Sequence, residues 1–403
     1  MQLANETVAE KISIYHWLMF GLCFLSNALA GAASTLMSVY LPVVVNDLLG
    51  HVDENQLNEV SAYINALYFI GWAVGGLVWG MVGDKIGRAK SLAMAMSMYG
   101  LFTVLKGFAP TWEIILVFQF FCGFGVGGVL VMNTTLLSEA WPERTRAIFM
   151  GFVSIGFPVG IFSSGAINYF VSGWRQGFMF GLLPLAVGII SFWTLRESEH
   201  WKKSRTTKTE NETSIREYRS NLFNGTVIFG SMLIGLWAIF SWVPTWVQSL
   251  LINSDGQKER GLSLMLLGAG GLSGGFCSGW IANSLGTRRA MLVCFSACFI
   301  LSSLLFKLNT SFTTITIIEI TCLSFMFGIS QGLLSVYIPL LFPVSIRATA
   351  TGLCFNVGRF FTAAAVFFVG ALVISLGGYG NSLFTFSFVF LIGFLFLLLK
   401  KNN

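Results

Sequence analysis

Long apolar runs alternate with short polar stretches along the whole chain. A helix needs about 20 consecutive, mainly apolar residues to cross the hydrocarbon core of a bilayer. Twelve runs reach that length, at roughly 15–42, 61–82, 90–109, 112–140, 147–171, 176–195, 224–249, 262–283, 289–306, 312–339, 349–376 and 380–399. Their apolar residues are continuous rather than alternating at every second position, which predicts helices and excludes a strand barrel. The longest polar segment, Arg196 to Arg219, separates six runs from six. The organisation expected is an N-terminal six-helix half over 1–195, a cytoplasmic linker over 196–223 and a C-terminal six-helix half over 224–403.

Composition agrees with this pattern. Of 403 residues, 55% are hydrophobic and 10% charged, and the mean hydropathy is +0.75; a soluble domain carries about 25% charge. The chain is therefore an all-α, multi-pass integral membrane protein with the lipid bilayer as its surroundings. Its Lys and Arg residues set the orientation. Eighteen of the 24 fall on one side: Lys11, Lys85, Arg88, Lys90, Arg144, Arg146, those of the linker, Arg288, Arg289, Arg347, Lys400 and Lys401. Lys106, Arg175, Lys258, Arg260 and Lys307 fall on the other, and Arg359 lies inside a run. Both termini are thus expected in the cytoplasm, and the net charge of +6 reflects this bias and needs no nucleic acid to explain it. Met1 to Lys11 does not read as a cleavable signal peptide, and the lack of large extracellular segments fits a bacterial inner membrane. The seven cysteines all sit in apolar runs and read as small buried hydrophobes. His16, His51 and His200 are scattered. No metal cluster or nucleotide-binding loop emerges, so no cofactor is expected.

Two polar loops recur half a chain apart. Gly80-Met-Val-Gly-Asp84-Lys85-Ile-Gly87-Arg88 returns 199 residues later as Gly279-Trp-Ile-Ala-Asn283-Ser-Leu-Gly286-Thr-Arg288. Trp141-Pro142-Glu143-Arg144-Thr-Arg146-Ala147 returns at an offset of 201 as Phe342-Pro343-Val-Ser-Ile-Arg347-Ala348, and Gly151 and Gly352 keep that offset. Gly80 is expected to admit a neighbouring helix and Gly87 a turn that a Cβ resists. Two matching loops imply two homologous halves, as in many secondary transporters.

These motifs resemble the major facilitator superfamily. The loop from Gly80 to Arg88, the span-4 glycines Gly123, Gly125, Gly127 and Gly128, and the Tyr337-Ile-Pro339 to Arg347 segment carry the likeness. Ser138-Glu139-Ala140-Trp141-Pro142 and Phe355-Asn356-Val-Gly358-Arg359 are similar to the metabolite:proton symporters of organic acids, sialate carriers included. The resemblance implies twelve helices in two pseudo-symmetric halves, alternating access and a monomer. It also implies a latch at Asp84, Arg88, Glu139 and Arg144 that holds the outward-facing form. A weaker copy would lie at Asn283, Arg288 and Arg347. The chain departs from relatives in having Gln119 where they often carry Arg, Val129 and Leu340 where they often carry an acid, and Asn27 in a first span without Asp.

Arg359 is the most informative residue. It lies twelve residues beyond Arg347, about 18 Å along a helix, near the middle of a core about 30 Å thick. An arginine there costs at least roughly 2.5–3.5 kcal/mol. It is either a clamp for a carboxylate, which guanidinium binds bidentately, or a structural partner of carbonyls or a buried acid. Glu319 is the acid most clearly inside a run and the candidate for proton coupling, against a plain position in the outer vestibule. Asn27, Tyr68, Gln119, Asn133, Gln331, Asn356 and Trp242 are candidates for binding substrate or for joining helices. The reading is a secondary transporter of a small organic anion, with protons as the default coupling ion. An exporter of drugs or hydrophobic metabolites is the alternative, since Gly151, Gly156, Pro158 and Gly160 form an incomplete antiporter pattern. A non-transporting receptor is the alternative from another class. No cluster of His, Asp or Ser suggests an enzyme.

Overall fold

The computed structural model describes residues 12–50, 53–198, 215–251, 255–343 and 346–399. Lys11, His51, the linker from 199 to 214 with His200, Lys202, Lys203, Arg205 and Lys208, and Lys400 and Lys401 lie outside the described residues. The described residues form twelve helical passes and no strand: α1 (Ile14–Leu49), α2 (Glu54–Ile86), α3 (Arg88–Lys106), α4 (Trp112–Ala140), α5 (Glu143–Phe170), α6 (Trp174–Thr194), α7 (Arg219–Ser249), α8 (Gln257–Leu285), α9 (Thr287–Leu308), α10 (Thr314–Tyr337), α11 (Arg347–Ala371) and α12 (Tyr379–Leu399). Eleven are long and apolar enough to cross a membrane on those grounds alone; α3, at 19 residues, is charged at both ends.

Three boundaries differ from the expected runs. α1 continues past Pro42 to Leu49, and Asn46 Nδ2 donates to the Pro42 carbonyl at 2.8 Å. α11 stops at Ala371, and the chain turns through Gly377 and Gly378 at φ +79° and +109°. α6 is broken: a five-residue helix, Trp174–Phe178, meets a 3-10 turn, Met179–Gly181, before Leu182–Thr194.

The repeat is visible in backbone and bonding. Gly87 and Gly286 take matching conformations, φ +109° ψ 156° and φ +77° ψ 142°, that only glycine adopts without strain. Arg146 Nε donates to the Trp141 carbonyl at 3.2 Å, and Arg347 Nε donates to the Phe342 carbonyl at 3.2 Å. Within each half, small residues let helix backbones touch. A Cβ at Gly75 of α2 would stand 2.1 Å from the Phe124 carbonyl of α4, and one at Gly274 of α8 would stand 2.0 Å from the Phe325 carbonyl of α10.

The halves meet through α5 on α8 and α2 on α11, but at one end only. Away from the linker, Gly165 faces Gly261, Phe162 faces Gly268, and Ala62 faces Gly370. Three side chains bond across the same end. Arg260 Nε donates to the Val39 carbonyl at 3.2 Å, Gln257 Nε2 to the Asn168 carbonyl at 2.7 Å, and Tyr379 Oη to Asn58 Oδ1. At the linker end, a Cβ at Gly80, Gly151, Gly279 or Gly352 would meet nothing within 4 Å. The close approach expected of Gly80 is therefore not made here, because the halves stand apart where it lies. Among the described residues, the molecule is closed at the far end and open at the linker end.

Arg260 is 2% exposed and also donates to Gln248 Oε1 and the Asp255 carbonyl. A hydrogen bond to a charged group contributes about 1.5–3 kcal/mol. Arg260→Gln is expected to move the balance toward the far-end-open form by about ten- to a hundredfold. Spin-label distances between the far ends of α5 and α8 would lengthen; an unchanged distribution would show that the packed glycines hold this end alone.

Candidate functional site

On α2, Tyr68, Trp72 and Gly76 recur every fourth residue and so share one face. That face meets α11. The Arg359 guanidinium lies 5.4 Å from the centre of a Trp72 ring, and its Nη1 donates to Asn356 Oδ1 at 3.1 Å. A Cβ at Gly76 would stand 2.9 Å from that Asn356 oxygen, so glycine leaves room for the pair. Asn356 Nδ2 donates to the Gly352 carbonyl. Among the described residues no carboxylate lies within salt-bridge distance of Arg359.

Around Trp72 the two halves build an aromatic wall. Phe69 and Phe157 stack on it at 5.9 and 6.0 Å, and Trp237 of α7 meets it edge-on at 5.1 Å. Phe240 and Phe327 continue the wall to α10. Among the described residues the buried Trp72 Nε1 has no hydrogen-bond partner, nor does Gln331 Nε2, one turn beyond Phe327 on α10. Asn356, Arg359 and Tyr68, which packs edge-on against Trp72 at 5.7 Å, belong to this wall. Sequence reasoning missed Phe69, Trp72, Phe157 and Trp237 as site residues. The fourfold spacing of Tyr68, Trp72 and Gly76 was the available signal.

The other candidates are engaged elsewhere. Asn27 Nδ2 donates to the Val153 carbonyl at 2.6 Å, joining α1 to α5 with its Oδ1 unpartnered. Asn133 exchanges bonds with Ser26 and Cys23 of α1. Gln119 Oε1 accepts from Lys106 Nζ at 2.8 Å, so Lys106 is a buried residue and not a loop charge. Tyr68 Oη donates to Ser34 Oγ. Trp242 Nε1 donates to the Val366 carbonyl at 2.9 Å, and its ring fills the space beside Gly370 in the far-end packing. Glu319 Oε2, in the second turn of α10, accepts from Asn309 Nδ2 at 2.6 Å, which ties it to the end of α9.

At the linker end a charge network ties the N-terminal half together. Arg88 pairs with Asp84 at 2.9 Å and Glu139 at 3.1 Å, and donates to the Gly83 carbonyl. Ser198 Oγ donates to Glu139 Oε2 at 2.5 Å. The Glu197 carboxylate accepts from the Ala89 and Lys90 amides at 3.2 and 3.0 Å, capping the positive end of α3. Arg196-Glu197-Ser198 fits the family's pattern in the sequence, but nothing there places Glu197 or Ser198 in this network. Arg144 is exposed and makes no ion pair among the described residues. In the second half Asn283 is exposed, and Arg288 donates to the Leu397 and Leu398 carbonyls at the end of α12. Arg347 stays on its own proline loop. Glu197→Ala is expected to lower stability by about 1–2 kcal/mol, read as a reduced thermal midpoint of the purified protein. No change would mean that solvent replaces the cap fully.

Residues 23–366 match the model of the family described as Major Facilitator Superfamily. A probable 4-methylmuconolactone transporter of Cupriavidus pinatubonensis (strain JMP 134 / LMG 1197) is 26% identical over 335 residues, 79% of this chain and 76% of that protein. A gallate transporter of Pseudomonas putida is 25% identical over 407 residues, 91% of this chain and 88% of that one. Among solved structures, the inward open conformation of the xylose transporter XylE from E. coli superposes with a TM-score of 0.80. That match has 14% identity and covers 96% of this chain and 97% of the other.

Proposed function

Because the chain belongs to the major facilitator superfamily, and is thus a membrane transporter of small molecules and not an enzyme, we propose that its substrate is a small organic carboxylate held by Arg359. The observation that carries this reading is a guanidinium deep in a membrane helix with no carboxylate among the described residues within salt-bridge distance. Burying such a charge is costly unless something pairs with it, and a carboxylate accepts its two parallel N–H bonds. The wall of Trp72, Phe69, Phe157 and Trp237 suits a planar, ring-bearing or unsaturated acid, which stacks on aromatic faces. Trp72 Nε1 and Gln331 Nε2 are spare donors for a further substrate oxygen. That a relative is named a gallate transporter supports the class.

In this reading the form with its linker end open faces the cytoplasm and releases or loads substrate there. Both termini are cytoplasmic, the membrane is a bacterial inner membrane, and the monomer is the working unit. The halves 1–195 and 224–403 rock about the site. The network of Asp84, Arg88 and Glu139 engages the second half when the linker end closes. Protons are the coupling ion.

The test is uptake into proteoliposomes of labelled aromatic, unsaturated, aliphatic and sugar acids beside their primary amides. Saturable uptake of acids but not amides is expected, with ring-bearing acids favoured. Equal uptake of acid and amide, or of neither, would overturn the proposal.

A further inference from the structure

Beside the half-buried Arg359, two cations are fully buried among the described residues. Arg260 is spent on the far-end contacts; Lys106 has no role in the scheme so far. Lys106 ends α3 and is fully buried. Its Nζ donates to Gln119 Oε1 of α4 and lies 5.0 Å from the centre of the Phe178 ring of α6. Among the described residues no carboxylate lies within salt-bridge distance. Burying an ammonium without an anion costs several kcal/mol by order of magnitude.

The titratable groups that face it are few. α4 supplies Cys122, a side-chain hydrogen-bond partner of Lys106 that also lies 3.4 Å from the Thr103 hydroxyl, whereas the Tyr99 phenol of α3 bonds the Ser26 carbonyl. Behind Phe178, Tyr40 of α1 stands 6.0 Å ring to ring. The Asp47–Arg175 pair, 2.6 Å apart, and Glu113 are exposed at the far end. A second feature marks the place. α6 breaks directly after Phe178, and the 3-10 turn presses on α3, where a Cβ at Gly181 would stand 2.7 Å from the Val104 amide. Short 3-10 segments within long helices often mark hinges. From Gln119, α4 leads one turn on to Gly123, which touches the Tyr68 carbonyl; Tyr68 packs on Trp72, and Trp72 carries Arg359.

We propose that Lys106 is the residue that carries the coupled proton, an inference that rests on the carboxylate reading above. Lysine can release its proton and still donate an N–H to Gln119, which arginine cannot do. With the far end open, the amine takes one proton from water on that side while a carboxylate settles on Arg359. Lys106 is fully buried in the linker-end-open form, so the ammonium returns its proton to water on that side, as the carboxylate leaves, only when the break in α6 beside it opens. One proton and one monocarboxylate cross together, the lysine ends as it began, and no net charge moves. The described carboxylates Glu319 and Glu139 are held by Asn309 and by Arg88 with Ser198, and neither is needed for this step.

The experiment uses the full-length protein in proteoliposomes, with labelled benzoate as the probe acid. Exchange at equal pH on both sides reads the carboxylate site alone. Accumulation under an inward proton gradient reads coupling. Lys106→Met and Lys106→Arg are expected to keep exchange within about threefold of wild type and to lose gradient-driven accumulation. Gln119→Glu supplies an anion to the ammonium, and should move the pH of half-maximal driven uptake upward by about one unit or more. It keeps the test open if a lysine variant fails to fold. Driven accumulation by Lys106→Met, or an unmoved pH profile for Gln119→Glu, would overturn the assignment. So would wild-type exchange that ignores the gradient. Absence of wild-type exchange with every acid tried would instead overturn the carboxylate reading on which the assignment rests.

Discussion

Arg359→Gln is expected to abolish saturable carboxylate uptake while leaving the protein at least as stable as wild type. Truncating one partner of a buried charge pair costs about 2–5 kcal/mol, so kcat/KM is expected to fall on the order of a hundredfold or more. Arg359→Lys keeps the charge but loses the planar fork and its stacking over Trp72, and should fall between the two. Stability separates the functional role from a structural one. Arg359 bonds only Asn356 Oδ1 among protein acceptors in the described residues, so its removal relieves an insertion cost of roughly 2.5–3.5 kcal/mol and breaks little. Thermal midpoints and uptake measured on the same preparations check both halves of the statement. A variant that unfolds earlier and still transports would mark Arg359 as a structural residue.

Valine at Gly268 and leucine at Gly352 are expected to stop transport from opposite ends of the cycle. A Cβ at Gly268 would stand 2.4 Å from the Phe162 amide, a backbone atom that cannot swing away. Gly268→Val should therefore prevent far-end closure. Gly352 meets nothing within 4 Å in the form described here, so Gly352→Leu should fold normally. The repeat pairs Gly80 with Gly279 and Gly151 with Gly352, and all four are open at the linker end. They are where the halves would meet once that end closes, and a bulky side chain there would wedge it open. Net uptake is expected to fall below a tenth of wild type for both, the scale of a lost conformational step worth at least about 1.4 kcal/mol. A cysteine at Gly151, in a background lacking Cys277 and Cys322, reports the trapped form. Labelling by an impermeant thiol reagent from the linker side should fall with Gly268→Val and rise with Gly352→Leu. Identical labelling in both would contradict the two-ended account.

The twelve passes and the two halves were legible because hydrophobic length and a recurring loop are one-dimensional signals. Arg359 was legible for a similar reason: a charge deep in an apolar run stands out whatever surrounds it. Its aromatic wall was not. Trp72, Phe157 and Trp237 lie on three helices, and a tryptophan in a membrane helix carries no mark of which face it presents until the helices are packed. Glu319 shows what depth along a helix leaves out. Its depth along α10 suggested a coupling role, but Asn309, ten residues earlier across a loop, takes its carboxylate. Lys106 was read as a loop charge because it ends α3, and only its contact with Gln119 reveals that it points inward. At the linker end Arg88 pairs with both Asp84 and Glu139. Arg144 makes no ion pair among the described residues, and Ser198 bonds Glu139 from beyond α6, a contact the linear order of the chain does not reveal.

The central claim is that the substrate's carboxylate meets Arg359, and a double-mutant cycle measures that contact directly. The binding affinities of one aromatic acid and its primary amide would be determined for wild type and for Arg359→Gln. If the carboxylate sits on the guanidinium, wild type prefers the acid and the variant does not. The coupling between the two changes should then exceed about 1.4 kcal/mol, a factor of ten in affinity. If acid and amide lose affinity equally when Arg359 is replaced, the carboxylate lies elsewhere and the account fails.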